Sequence, residues 1–167
     1  GEIRPQFEQY KVAYPGDKHV ETFQVLSIDI EADSVCEAHY RPSPVGYDGE
    51  MASFFRDLAW WGADSRHAYF VDRERGDQLL RLLELDTDTG NIRTLIEESS
   101  DTYINTAIDC VNTPLYRHLA ATNEMIWHSE RSGWGHLYLY DLSTGQLKHA
   151  ITSGEWLVRD ILYVDEK

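Results

Sequence analysis

The feature that most constrains this chain is an internal repetition. "YFVDRERGDQLLRLLELDTDTGNIRTLIEES" and "IWHSERSGWGHLYLYDLSTGQLKHAITSG" follow one plan: an apolar strand, a charged turn (DRERG or SERSG), a second strand closed by Asp, a T-G turn, and a short polar strand. Asp86 and Asp141 stand 55 residues apart, and so do Gly90 and Gly145. In each copy the Asp ends a strand and the Gly supplies the backbone freedom that the turn needs. A partial copy precedes them in "FQVLSIDIEADSVCEAH", where Asp29 takes the strand-ending position. "EWLVRDILYVDE" near the C-terminus reads as the first strand of a further unit.

Period-two alternation supports strands throughout. Thr22 to Glu31, His67 to Arg73, Asp77 to Asp86, Glu124 to Glu130 and Gly135 to Leu142 are rich in the residues that half-buried strands favour. In "HLYLYDL", Leu137 and Leu139 point one way and Tyr138 and Tyr140 the other, so the strand suits a place between layers. "FFRDLAWWGADSRH" has Phe54, Leu58 and Trp61 at helical spacing, but the GADS turn signal and the strand that follows favour strand, turn, strand. A strand is expected around Tyr103 to Ile108 with a longer loop after it, and the Pro/Gly-rich Arg41 to Gly49 is a connection.

Units of about 40 to 60 residues, built from three or four short strands, point to propeller blades. The expected fold is all-β: a partial β-propeller of about two full blades with partial blades at each end. Residues 19–39 form a partial blade, 54–98 and 101–153 the two blades, and 156–163 the first strand of a next blade. A single sandwich or barrel containing two similar hairpins is the alternative. An isolated propeller piece leaves unit faces and sheet edges open, and self-association, by exchange or pairing of blades between copies, is the physical remedy.

Charge narrows the partners. The formal charge is −14, with acids spread along the chain, which disfavours nucleic acid and anionic membrane as partners. No run of about 18 apolar residues exists to cross a bilayer. The start at Gly1, in polar sequence without an initiator methionine, reads as an excised or processed segment, which leaves room for a targeting segment outside it, so periplasm and cytoplasm both stay open. Cys36 and Cys110 are too few for a disulfide framework and read as half-buried cysteines.

No catalytic motif emerges. There is no G-x-S-x-G elbow, and Ser132-Gly133 falls where a hairpin must turn, so neither Ser129 nor Ser132 reads as a nucleophile. His128 and His136 lie on strands flanking that turn and are placed to pair across it. Cys36 and His39 lack a second ligand pair, and "DTDTG" and "DLSTG" lack the oxygen pattern of a calcium loop, so no metal and no cofactor is expected. Glu97-Glu98 fits many surfaces. Asp86, Gly90, Gly133, Asp141 and Gly145 are assigned to turns, and Trp134, at a turn apex, to packing on a neighbouring blade or to a recognition rim.

"WHSERSGWGHLYLYD" followed by "LKHAITSGEW" resembles the propeller repeat of the dipeptidyl peptidase IV family of serine peptidases. "YKVAYPGDKHVETFQVLSIDI" is similar to the segment after that propeller's helical insert, with His19 standing where the family tends to have Asn-Pro. The resemblance implies a seven- or eight-bladed propeller capping a C-terminal α/β-hydrolase domain of the same parent chain, which removes N-terminal dipeptides from a peptide substrate. On the same ground, the catalytic Ser, Asp and His, and the paired glutamates that hold the substrate's amine, lie outside this chain, and Glu97-Glu98 is not a substitute for them. Tyr103 and Asn105 occupy the region that some members direct at substrate and are the substrate-facing candidates. This portion is then noncatalytic and helps to enclose and gate the active site. An independent propeller-type interaction module without peptidase activity is the alternative; an autonomous glycosidase would need a carboxylate pair that the sequence does not single out.

Overall fold

A computed structural model of the chain describes residues 16–20, 22–41, 43–44, 59–105 and 115–165. Its strands are β1 (Thr22–Phe23), β2 (Leu26–Asp29), β3 (Ser34–Glu37), β4 (Ser43–Pro44), β5 (Ala59–Trp61) and β6 (His67–Arg73). They continue with β7 (Leu79–Asp86), β8 (Ile92–Ser99), β9 (Arg117–Leu119), β10 (Glu124–Ser129), β11 (His136–Asp141) and β12 (Gln146–Ala150). Every pairing among the described residues is antiparallel. Two four-stranded sheets, β5-β6-β7-β8 and β9-β10-β11-β12, meander in sequence order, preceded by the hairpin β2-β3 and the short pair β1-β4. The chain is thus an all-β partial propeller. Phe54 and Leu58 lie outside the described residues, as does Cys110; the strand, turn, strand order is seen from Ala59 onward.

The repetition extends to the register. His67 pairs with Asp86 at the start of β6-β7, and Glu124 pairs with Asp141 at the start of β10-β11. Asp86 Oδ1 accepts the amides of Asp88 and Thr89, and Asp141 Oδ1 those of Ser143 and Thr144. Asp29 does the same for Glu31 and Ala32. Four residues beyond each Asp the backbone turns left-handed, at Asp33 (φ 48°), Gly90 (φ 75°) and Gly145 (φ 73°).

Alternation sorts the side chains into stacked layers. Tyr69, Val71, Leu80, Leu82 and Ile96 on one face of the first sheet meet Met125, Trp127, Tyr138 and Tyr140 of the second. The first sheet's other face, Phe70, Leu83 and Leu85, packs on Ala38, Val25 and Tyr40 of the preceding hairpin unit. The second sheet's other face, Ile126 and Leu137, is covered by Val158, Ile161 and Val164. "HLYLYD" is apolar on both sides because both sides are covered. Trp60 stacks between Tyr69 (5.6 Å) and His118 (4.9 Å), tying the first strand of one sheet to that of the next.

Two strand expectations are modified. Thr22 to Glu31 is interrupted at Gln24 and Val25 and gives two short strands, β1 and β2. Tyr103, Ile104 and Asn105 are not in a strand, because the Ile104 amide is taken by the Asp77 carbonyl (2.7 Å) and not by a ladder; residues 106–108 lie outside the described set. Residues 156–163 have no paired strand among the described residues and run as an extended segment over the second sheet, with the Val158 amide bonded to the Gly135 carbonyl (2.8 Å).

Candidate functional site

Each sheet has two ends. At one lie the turns after Asp86 and Asp141; at the other lie the hairpins β6-β7 and β10-β11, joined by the connecting segment 100–105. The glycines at the first end are fixed by contact as well as by backbone sign. A Cβ on Gly90 would overlap the Glu37 carbonyl oxygen, and one on Gly145 would sit 2.7 Å from that of Leu95. Each T-G turn is therefore pressed against the outermost strand of the preceding unit, and Arg93 reinforces the second junction by donating to the Ser143 carbonyl (3.0 Å). Arg66 pairs with Asp86 (2.7 Å) at the same end and holds that carboxyl down, at about 2.

The hairpin end carries the polar chemistry. Segment 100–105 is anchored by Ser100 N–H on the Gln78 carbonyl, Gln78 Nε2 on the Asp101 carbonyl (2.9 Å) and the Ile104 amide on Asp77. Ile104 is buried, which leaves its neighbours at the surface: Tyr103 is 51% exposed. Tyr103 Oη accepts from Arg73 Nη2 (3.4 Å) at the end of β6, and Asn105 Nδ2 donates to Glu130 (3.4 Å) in the β10-β11 hairpin. The two substrate-facing candidates thus bridge the hairpins of two different sheets. Gly133 turns the second hairpin (φ 89°), and Trp134 beside it is 42% exposed.

Glu98, which the sequence left without a role, sits between the sheets at this end. Its carboxylate accepts from Ser129 Oγ (2.6 Å) and Trp127 Nε1 (3.0 Å), and Arg131 lies 3.7 Å away. Arg131 also donates to Ser129 Oγ (2.9 Å) and Tyr140 Oη (2.6 Å), with its guanidinium over the Tyr138 ring. At the previous junction Tyr40 Oη donates to Asp72 Oδ2 (2.6 Å), which Arg81 also holds (2.7 Å). Burial and the Asp72 carboxylate push the Tyr40 phenol well above its ordinary range. A buried, charge-assisted bond of this kind rewards only the correct partner, since breaking it leaves a desolvated charge. The signal available in the sequence was alternation: Glu97 faces water, so its neighbour Glu98, at the end of β8, has to face the next sheet.

Neither serine is set for nucleophilic attack. Ser129 gives its proton to a carboxylate, and Ser132 Oγ donates to the Trp134 carbonyl (3.2 Å). His128 and His136 are not a cross-strand pair: His128 is registered with Leu137 and His136 with Ser129, so alternation sends them to opposite faces. Among the described residues no three His, Cys, Asp or Glu side chains are grouped to hold a metal ion, and no helix is long and apolar enough to cross a membrane. The hairpin end therefore offers hydrogen-bonding groups on an apolar scaffold, which can recognise a ligand, and its two serines are committed to structural bonds.

Comparison with known proteins gives this arrangement a context. The sequence matches the family model described as dipeptidyl peptidase IV (DPP IV) N-terminal region over residues 3–167. Among solved structures, it is similar to a putative dipeptidyl aminopeptidase IV from Bacteroides ovatus, with 18% identity, a TM-score of 0.59, and coverage of 90% of this chain and 22% of that one. It is also similar to dipeptidyl peptidase 4 of Porphyromonas gingivalis, with 15% identity, a TM-score of 0.67, and coverage of 94% of this chain and 20% of that one. The chain spans about a fifth of the length of these structures.

Proposed function

We propose, from the premise that this chain belongs to the dipeptidyl peptidase IV N-terminal region family, that it works as a noncatalytic part of a longer serine-type dipeptidyl peptidase. In this reading its blades, over 54–98 and 101–153 with partial blades at 19–39 and 156–163, help to enclose and gate an active site carried by a C-terminal α/β-hydrolase domain. The observation that carries it is the family match along nearly the whole chain, joined to a hairpin end that presents binding groups and whose serines are not set to attack. Tyr103 and Asn105 would face the peptide there, since both are held at the surface by a buried neighbour and by side chains of the two hairpins. The charge of −14 suits a substrate that arrives with a free ammonium, because a negative enclosure raises its local concentration.

The test uses the full-length protein and this chain side by side with a dipeptide-proline chromogenic substrate. Turnover by the full-length protein, abolished on replacing the hydrolase-domain serine, together with none by this chain, is the expected result. Turnover by this chain alone would overturn the proposal; a full-length sequence that lacks an α/β-hydrolase domain would also overturn it and leave a propeller-type interaction module.

A further inference from the structure

The β10-β11 hairpin is wrapped by the segment that follows β12, and two buried histidines lie under the wrap. His136 is 1% exposed, and its ring is bonded on both nitrogens, Nδ1 to Thr152 Oγ1 (3.0 Å) and Nε2 to the Gly154 carbonyl (2.9 Å). Thr152 Oγ1 already accepts the Leu137 amide (3.1 Å), so its hydroxyl proton is free to point at Nδ1. A carbonyl can only accept, which places the ring proton on Nε2. The two bonds tie Thr152 and Gly154 of the segment to one ring of β11. Trp156 stands edge-on to the same ring at 5.0 Å.

The segment then crosses the hairpin end. Val158 N–H bonds the Gly135 carbonyl (2.8 Å), and a Cβ on Gly135 would meet His128 Nε2 at 2.7 Å on one side and Leu157 Cβ at 3.6 Å on the other. His128 is also buried, with Nδ1 lacking a hydrogen-bond partner among the described residues, on the face where Val158 and Ile161 pack over Ile126 and Leu137. Proton uptake on His128 would bury a cation with an unmet donor.

The geometry points to a proton-operated latch: segment 152–158, anchored on His136, stays closed across the β10-β11 hairpin while the buried His128 beneath it is neutral, and acidification releases it. Burial lowers His128 below its ordinary value, an effect that His136 of β11 adds to and that Glu130 of the hairpin and Glu98 of β8 oppose. The charged residues of the segment itself, Glu155, Arg159 and Asp160, are exposed to solvent. An imidazole whose charged form is disfavoured in the closed latch binds fewer protons closed than open. The latch is therefore complete above the ordinary histidine value of about 6.5 and loosens as pH falls through it. Because the hairpin carries Glu130, the partner of Asn105, release of the latch frees the support of the candidate recognition end.

Amide hydrogen exchange on the chain at about pH 7.5 and about pH 5.5, corrected for intrinsic rates, tests this. The Val158 and Leu137 amides should open about tenfold more readily at the lower pH for each proton taken up only in the open form, while the Gly90 amide in the first sheet stays constant. Equal behaviour of Val158 and Gly90 overturns the latch. In His128→Gln, Val158 protection should no longer depend on pH; a pH-dependent loss as large as in the unsubstituted chain overturns it too. Should that variant unfold, ring nitrogen NMR of the unsubstituted chain decides: a charged His128 in molecules whose Val158 amide is still protected would rule the latch out.

Discussion

Ser129 donates its hydroxyl to Glu98 across the gap between the two four-stranded sheets, and one unit earlier Tyr40 donates its own to Asp72, both at 2.6 Å. The registers of β6-β7 and β10-β11 make Asp72 and Ser129 equivalent positions, so the two junctions keep the bond and exchange its direction. Removing the acceptor at the second junction by Glu98→Ala strands Trp127 Nε1, and should cost about 2–3 kcal/mol in urea unfolding. Tyr40→Phe leaves Asp72 its bonds to Arg81 and should cost about 1–2 kcal/mol. Glu97 is exposed on the same strand, and Glu97→Ala is the control. A Glu98→Ala effect no larger than that of Glu97→Ala would remove Glu98 from the junction.

Left-handed glycines here divide into two kinds. A methyl group added at Gly133 would stand in open space, with nothing within 4 Å, so Gly133→Ala meets only the backbone penalty, about 1–2 kcal/mol. Gly145→Ala meets that penalty and the Leu95 carbonyl together, so it should lower the midpoint of denaturant unfolding further than Gly133→Ala does. Equal midpoints for the two variants would show that the turn does not dock on the preceding sheet.

High pH should loosen the first sheet. Burial, with Glu84 beside it, pushes Tyr69 up to about 12. The folded chain then keeps a proton that the unfolded chain surrenders at about 10. Stability present below pH 10 should decline as pH rises through the window between these two values, and Tyr69→Phe should flatten that decline in alkaline thermal melts. An unchanged slope in the variant would assign the loss to other tyrosines.

Substrate contact through Tyr103 and Asn105 has a kinetic signature. In the full-length protein, Tyr103→Ala and Asn105→Ala should each lower kcat/KM by about fivefold, the equivalent of about 1 kcal/mol, chiefly through KM. Tyr103 is half exposed, so the melting temperature of its variant should hold. An unchanged kcat/KM in both variants would mean that neither residue touches the peptide.

Electrostatic attraction should appear as a salt effect. With a cationic peptide, kcat/KM should fall as ionic strength rises, and a neutral N-blocked control inhibitor should bind equally well throughout. A flat salt series for the cationic peptide would leave the charge of −14 without a role in approach.

The strand order and the T-G turns were legible because alternation and the Asp-to-Gly spacing are local properties. Asp86 and Asp141 cap their own turns through atoms two and three residues away, and a sequence displays such relations directly. What faced another unit was hidden. Gly90 and Gly145 read as turn residues, while their contacts with Glu37 and Leu95 lie in the preceding unit of the chain and depend on how the sheets stack. Glu98 was passed over for the same reason, since nothing near it in sequence marks Ser129 and Trp127 as its donors. The histidines misled in another way: their nearness to one turn suggested a pair, but a register offset of one residue puts them on opposite faces. At the candidate site, Tyr103 and Asn105 came from family likeness alone, and Arg73 and Glu130 as their supports became visible only once the hairpins were placed.

The turn that presses Gly145 onto Leu95 has no mirror-image counterpart on the opposite face of its sheet among the described residues. Stacking is consequently polar, as in a column of cups, where each unit has a nesting side and a receiving side. Any copy joining through these faces must add nose to tail, and a two-fold dimer cannot use them. Such additions end only by closing into a ring, and at each described junction of that kind a carbonyl rests where a side chain would otherwise stand.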